Sequence, residues 1–271
     1  MRCETCFHHC EIPEGGRGFC RARICENGAV RPENYGRLTS LALDPIEKKP
    51  LHDFYPGSLI LSAGSYGCNL RCPFCQNHEI SQENLHSRSH CVSPDQLVAQ
   101  AEKYVPMGNI GIAFTYNEPM IGWEYIRDTA KLAKEKGLKV VVVTNGTASL
   151  ETLEEILPYV DAFNIDLKGF TDPVYQSYAG SLEQVKQFIE RAAKDAHVEV
   201  TSLIVPGKND SLEQMDQQAR WLASVDPDIP LHITRYFPRW KEQEAPTDIR
   251  QMEQLQKVAE KYLHRVYLGN V

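Results

Sequence analysis

The sequence predicts an α/β fold in which a parallel sheet is joined by helical crossovers. From residue 57 onward, short β-branched runs alternate six times with longer amphipathic runs, which is the pattern of repeated strand–helix units. Residues 140–143 are four valines with no polar alternation, as expected of a parallel strand buried on both faces. A chain of 271 residues is long enough to build one large core.

The individual elements follow from these patterns. The predicted strands cover residues 58–63, 110–115, 139–144, 162–167, 198–204 and 231–235. The predicted helices include residues 94–104, 121–136 and 182–194. Ser93 offers a capping hydroxyl before Pro94, and Ser211 with Gln214 has the spacing of a capping box, so a helix should begin at each place. Composition does not distinguish an open sheet from a barrel.

The first part of the chain has a different character. Residues 1–56 are rich in Cys, Gly, Arg and Pro and show little periodicity, so we expect a metal-binding extension there and the main domain in residues 57–271. Its preferred metal ligands are Cys3, Cys6, Cys10 and Cys20. Zinc held by paired cysteines and a second iron–sulfur cluster are both open alternatives, as are free thiols.

Composition also limits the partners and the compartment. The net charge is −7 and no basic tract stands out, which makes nucleic acid an unexpected partner. The sequence contains no apolar run long enough for a transmembrane helix, and its start lacks the apolar stretch of a signal peptide. We therefore expect a cytoplasmic protein with no membrane partner, whose nine cysteines bind metal rather than form disulfides.

The most specific motif is a cysteine run. Cys68, Cys72 and Cys75 form a Cys-x3-Cys-x2-Cys pattern directly after the first predicted strand. Three thiolates in one loop can hold three irons of a [4Fe-4S] cube and leave the fourth iron without a protein ligand, open for chemistry. Structural zinc is the alternative, but it usually recruits paired Cys-x2-Cys knuckles and two further ligands.

This run resembles the signature of the radical S-adenosylmethionine (SAM) superfamily, including the aromatic Phe74 just before the third cysteine. Residues 41–50 and 115–119 resemble the branch related to pyruvate formate-lyase activating enzymes, and the cysteine-rich start resembles the radical SAM member of the AmmeMemoRadiSam system. The resemblance implies an incomplete (β/α)6 TIM-type barrel with a Cys-rich N-terminal extension, and a short further strand near residues 266–268.

The resemblance also implies an activity. A [4Fe-4S] cluster would cleave SAM reductively to give a 5′-deoxyadenosyl radical, which abstracts hydrogen from a substrate, with glycyl radical enzyme activation as the most familiar outcome in this branch. Radical modification of a small molecule, RNA or another protein is the alternative among enzymes, and a zinc-binding interaction protein is the alternative of another class. An electron donor such as flavodoxin or ferredoxin and a protein substrate would be the partners.

Charged side chains near the ends of later strands could bind SAM. Barrels of this kind build their active sites from the loops that follow the strands. Glu118 or Asp166 can accept hydrogen bonds from the ammonium of SAM, and Lys168 can pair with its carboxylate. Taken alone, Asp166 and Lys168 could equally be solvated charges at a strand end.

Neutral side chains complete the predicted SAM site. Asn117, Thr144 and Asn145 lie at or just after strand ends, and the two amides offer donors and acceptors for ribose hydroxyls or the methionyl end. Phe74 offers a flat face for adenine. His232, within the sixth strand, is a further candidate, although it could be a core histidine whose hydrogen bonds are satisfied. Thr144-Asn145-Gly146 alone could be a simple turn.

Overall fold

One curved sheet organises the chain. The computed structural model describes residues 1–82 and 88–271, and within these ranges seven parallel strands and one antiparallel edge strand form this sheet. In spatial order the strands are β12 (Val266–Gly269), β11 (Leu231–Arg235), β10 (His197–Ile204), β9 (Ala162–Asp166), β8 (Lys139–Thr144), β7 (Asn109–Thr115), β5 (Leu59–Gly64) and β4 (Ser40–Pro45). The edges β12 and β4 do not pair, so the barrel is incomplete, and the predicted fold class is confirmed.

Helices follow the parallel strands as the crossover pattern requires. They are α1 (His78–Ser81), α2 (Pro94–Tyr104), α3 (Trp123–Glu135), α4 (Leu150–Ile156), α5 (Asp172–Ser177), α6 (Leu182–Ala192), α7 (Leu212–Val225) and α8 (Ile249–Ala259). At the start of α7, the Ser211 hydroxyl accepts a hydrogen bond of 3.2 Å from the Gln214 backbone, as its spacing predicts. Among the described residues, the helices all fall short of the length and apolarity that crossing a membrane requires.

Helix α3 begins later than the sequence predicts. Residues Pro119–Gly122 form a short 3-10 turn, and the α-helix starts at Trp123. The Glu118 carboxylate caps this turn by accepting a hydrogen bond from the Met120 backbone. The extra turn moves the start of α3 away from the strand end and keeps Glu118 beside the loop that follows β8.

The two faces of the sheet are covered differently. The helices pack on the convex face and form the large core with residues such as Phe163 and Phe188. The concave face, which we call the lumen, is lined near one end by apolar residues of the strands. A segment from Ile46 to residue 56 closes that end, because Ile46, Leu51 and Phe54 pack against this lining.

The first strand of the main sheet lies inside the segment that the sequence predicts as an N-terminal extension. Strand β4 lies within residues 1–56 and pairs antiparallel with β5. Its residues are mostly half-buried or exposed, so β4 lacks the regular apolar alternation by which strands are recognised in a sequence. Two small sheets pair β1 (Arg23–Glu26) with β2 (Ala29–Pro32) and β3 (Arg37–Leu38) with β6 (His90–Cys91). The division at residue 56 stays a prediction.

Candidate active site

The loop after β5 carries the three cysteines of the central motif. Cys72 is buried, and Cys68 and Cys75 are partly buried; all three are free thiols. The Leu70 backbone N–H donates to Cys68 Sγ at 3.3 Å, and the Ser81 hydroxyl lies 3.1 Å from Cys75 Sγ. Hydrogen bonds to sulfur of this kind accompany iron–sulfur ligation and tune it.

The surroundings of these thiols suit a cationic cluster. Burial raises the pKa of Cys68 well above its ordinary value, and the nearby Glu118 carboxylate raises it further. Burial also raises the pKa of Cys72 to about 11, although the Lys168 ammonium opposes this shift. Thiolates ligate iron, so positive metal charge would offset the cost of ionising these buried groups. The donor set therefore fits a [4Fe-4S] cluster with one iron left open.

No three His, Cys, Asp or Glu side chains in residues 1–82 and 88–271 meet closely enough to hold a single metal ion. Ligands of a multi-iron cluster bind separate irons and need not converge on one point. The loop of Cys68, Cys72 and Cys75 is therefore compatible with a cluster even though it forms no single-ion site.

Glu118 joins the ends of β7 and β8. One of its carboxylate oxygens accepts hydrogen bonds from the Thr144 hydroxyl at 2.7 Å and from the Met120 backbone at 3.0 Å. The other accepts from the Asn145 backbone at 2.8 Å. Glu118 is almost fully buried, and burial raises its pKa to about 7. Each carboxylate oxygen can accept two hydrogen bonds, so the oxygen bonded to Asn145 keeps acceptor capacity, and the contact of Glu118 with the SAM ammonium stays a prediction.

Asn145 links the end of β8 to the cysteine loop. Its amide nitrogen donates to the Asn69 side chain at 2.9 Å and lies 3.7 Å from Cys68 Sγ. The Asn69 amide in turn donates to the Thr147 hydroxyl at 2.9 Å. Asn69 was not singled out from the sequence, although its place between Cys68 and Cys72 was a signal for it.

Asn117 holds the same loop from the other side. Its amide nitrogen donates to the carbonyl oxygens of Tyr66 and Gly67 at 3.2 and 3.1 Å, and its oxygen accepts from the Ser65 backbone at 3.0 Å. The Asn117 amide thus forms its hydrogen bonds with the backbone that leads to Cys68. In this structure Asn117 therefore positions the cysteine loop, and its predicted contact with SAM stays a prediction.

Asp166 and Lys168 form an ion pair at the end of β9. The Lys168 ammonium lies 2.8 Å from the Asp166 carboxylate, whose side chain is 36% exposed. Phe74 lies on the same side of the barrel, buried edge-on against Tyr178 at a ring distance of 5.2 Å. These three predicted SAM residues thus surround the Cys72 side of the loop, and their contacts with SAM stay predictions.

His232 lies apart from this group. Its Nε2 is 2.6 Å from the buried carboxylate of Glu199, which also accepts hydrogen bonds from the backbones of His52 and Asp53. The contacts match the alternative interpretation of a satisfied core histidine, and binding of SAM by His232 stays a prediction. Glu199 was missed in the sequence, where a carboxylate between two valines of a predicted strand was the available signal.

The N-terminal cysteines pack against the catalytic loop. His8 Nε2 lies 2.8 Å from the Asn69 carbonyl oxygen, and Cys6 forms a β-bridge with Ala148 just beyond β8. A side chain at Gly67, where φ is +88°, would collide with the Cys20 carbonyl at 2.7 Å, so this close approach requires glycine. Burial raises the pKa of Cys6 to about 11, and the thiols of Cys3 and Cys10 contribute to the shift.

Comparisons with known proteins agree with this geometry. A family model described as the radical SAM superfamily matches residues 63–222. An uncharacterized protein of Methanocaldococcus jannaschii is 40% identical over an alignment of 278 positions, which covers all of this chain and 81% of that protein. The pyruvate formate-lyase 1-activating enzyme of Escherichia coli K12 is 24% identical, over 74% of this chain and 88% of that enzyme. A radical SAM methyltransferase from Sphaerobacter thermophilus superposes with a TM-score of 0.62 at 16% identity, covering 79% of this chain and 67% of the other.

Proposed function

This chain belongs to the radical SAM superfamily, in the branch of the pyruvate formate-lyase activating enzymes, and we propose that it cleaves SAM reductively to abstract hydrogen from a substrate. The observation that carries the proposal is the loop of Cys68, Cys72 and Cys75, held at the carboxyl ends of the parallel strands by Asn117 and Asn145. When bound, the cluster and SAM would supply the electron transfer and the 5′-deoxyadenosyl radical.

The residues around the loop would bind and orient SAM. Asp166 presents a partly exposed carboxylate for the ammonium, while Lys168 brings positive charge close to Cys72. Glu118 is better placed to hold the ends of β7 and β8 in register and to offer its remaining acceptor capacity to SAM. Burial of Phe74 and Cys72 limits water at the site, which protects a reactive radical.

Two classes of substrate are candidates for losing the hydrogen atom. The names of the related activating enzymes support a glycyl position of a protein. A polar cluster of Lys49, Asp44 and Tyr116 inside the lumen supports a small molecule instead. A reductant such as flavodoxin or ferredoxin would supply the electron in either case.

A second metal site at Cys3, Cys6, Cys10 and Cys20 is part of the proposal. It is supported by the burial of Cys3, Cys6 and Cys20 beside the catalytic loop, and by the contact of His8 with Asn69. The four thiols lie among the described residues that do not converge on a single ion, so zinc would require them to move closer together. An iron–sulfur cluster, whose ligands bind separate irons, would not need that convergence and could also relay electrons.

Product analysis tests the proposed reaction. Anaerobically reconstituted protein, supplied with SAM and a reductant, should form 5′-deoxyadenosine and methionine, measured by mass spectrometry. Adding a short peptide whose glycine is dideuterated at Cα should place deuterium in the 5′-deoxyadenosine if the target is a glycyl hydrogen. Absence of 5′-deoxyadenosine with a full cluster would refute the proposal, and its formation without deuterium would remove only the glycyl target.

A further inference from the structure

A second polar cluster lies inside the lumen, away from the cysteines. The Lys49 ammonium is 2.8 Å from the Asp44 carboxylate, and the Tyr116 hydroxyl donates to the same carboxylate at 2.6 Å. The ammonium also lies 4.6 Å from the centre of the Tyr116 ring. Lys49 is only 3% exposed, which is rare for a lysine at any position.

The strand register shows that this cluster faces the lumen. Asp44 pairs with Ile60, which is part of the apolar lining of the lumen, and paired residues share one face. Ser62 lies two residues beyond Ile60 and therefore on the same face. Because β4 is an edge strand, the cluster lies beside the lateral opening of the incomplete barrel.

Tyr116 is held in place at a conformational cost. Its φ is +73°, in the left-handed region that tyrosine rarely adopts, and such strain is concentrated at functional sites. A side chain at Gly64 would lie 2.7 Å from the Tyr116 ring, so glycine is needed there to admit the ring. Asn77, two residues after Cys75, donates to the Tyr116 carbonyl at 2.8 Å and ties this residue to the cysteine loop.

Ser62 belongs to the same cluster. Its side chain is fully buried, and its hydroxyl lies within hydrogen-bonding reach of Asp44 and Tyr116, where it contributes to the lowered pKa of Asp44. A carboxylate, a phenol and a buried hydroxyl therefore meet beside the Lys49 ammonium in this part of the lumen.

We propose that Lys49 is a nucleophile that forms an imine with the ketone or aldehyde group of a small substrate, with Asp44 and Tyr116 handling the protons. The amine nitrogen of Lys49 attacks the carbonyl carbon and a C–N bond forms. The carbonyl oxygen then leaves as water, for which Asp44 accepts and returns a proton, with Tyr116 as its hydrogen-bond partner. No electrons are exchanged in this condensation, so no oxidant or reductant is required.

The local chemistry supports this role for Lys49. Burial lowers the pKa of the ammonium, and the ion pair with Asp44 opposes the shift without cancelling it. Desolvated lysines of this kind are the ones that serve as imine-forming nucleophiles. The resulting iminium would keep a positive charge beside Asp44.

This inference deepens the proposed function, on which its biological role rests, by naming the substrate class. An imine at Lys49 would hold a small molecule in the lumen beside Tyr116, the residue that Asn77 ties to the cysteine loop. Formation of the imine itself requires neither the cluster nor SAM, so its failure can be separated from failure of SAM cleavage.

Chemical trapping tests the inference. The full-length protein is incubated with pyruvate or, in parallel, with propanal, then reduced with borohydride, and the modified lysine is located by peptide mass spectrometry. We expect a stable adduct on Lys49 with at least one probe. The K49R variant keeps the cation beside Asp44 and should lose the adduct, while K257M removes an exposed lysine on α8 and should retain it.

Two further outcomes decide the matter. Y116F removes the hydroxyl that donates to Asp44 and keeps the ring, so the proposal predicts slower adduct formation, whereas a purely structural role predicts a lower melting temperature with unchanged adduct formation. Absence of an adduct with both probes, or equal labelling of Lys48 and Lys49, would overturn the inference. Production of 5′-deoxyadenosine by the same preparation would show that the proposed function survives that result.

Discussion

Two buried glutamates of this barrel, Glu118 and Glu199, have pKa values that are shifted in opposite directions. Glu118 is buried beside the cysteine loop with three neutral donors, and burial raises its pKa to about 7. Glu199 is equally buried but is surrounded by two histidines and two backbone N–H groups, which outweigh the effect of burial and lower its pKa to about 2. Glu118 can therefore still gain from a cationic ligand, whereas Glu199 already has its partners.

The first prediction concerns SAM binding. E118Q and D166N should each weaken SAM binding about tenfold to hundredfold, because a charged hydrogen bond contributes roughly 1.5–3 kcal/mol. Iron content should be unchanged, since neither Glu118 nor Asp166 is a ligand of the cluster. Titration with SAM, 5′-deoxyadenosine formation and iron analysis are the measurements, and D172N, at the start of α5, is the exposed control. Parental binding and turnover in both variants would show that SAM lies elsewhere.

The second prediction concerns stability in acid. The depressed pKa of Glu199 means that its contribution to folding is complete above the ordinary pKa of 4.5 and disappears as the pH falls towards about 2. At neutral pH that contribution is about 3 kcal/mol for this fully buried group. E199Q should therefore unfold more easily at pH 7, with a difference from the parent that shrinks below pH 4.5. Exposed E253Q should match the parent, and a constant difference at every pH would contradict the assignment.

At the scale of elements, the sequence predicts best the bounds of strands and helices whose apolar pattern is regular. Strands β8 and β11 and helix α2 have the predicted bounds, because their apolar patterns are regular and a capping serine precedes α2. Strand β4 was not predicted, since an edge strand with exposed residues has no such pattern. Its register brings Asp44 opposite Ile60, so the lumen site depends on an element that periodicity does not show.

The third prediction concerns the N-terminal segment. C3S combined with C6S should remove one metal site and loosen residues 1–30, because the metal would no longer tie the buried thiols of this segment together. Metal analysis and limited proteolysis measure the two effects, while the cluster at Cys68, Cys72 and Cys75 should persist. C91S removes an exposed cysteine far along the chain and serves as the control. Unchanged metal content in the double variant would count against an N-terminal metal site.

At the scale of the whole molecule, the sequence predicts the architecture better than the site. Alternation of strands and helices indicates a parallel sheet, and the resemblance carried by the cysteine run indicates the incomplete barrel. The contacts of Glu118 with Thr144 and Asn145 join residues 26 and 27 positions apart, which only the folded sheet brings together. His232 shows the limit, because its partner Glu199 is set by the pairing of β10 with β11 rather than by any local pattern.

The central claim is that Cys68, Cys72 and Cys75 hold a [4Fe-4S] cluster whose open iron binds SAM. The most direct measurement is electron paramagnetic resonance of the reduced, reconstituted protein before and after addition of SAM. We expect a reduced-cluster signal that changes when SAM is added, and C72A should lose this SAM-sensitive signal together with 5′-deoxyadenosine formation. A C72A protein that keeps the SAM-sensitive signal and cleaves SAM at the parental rate would contradict the account.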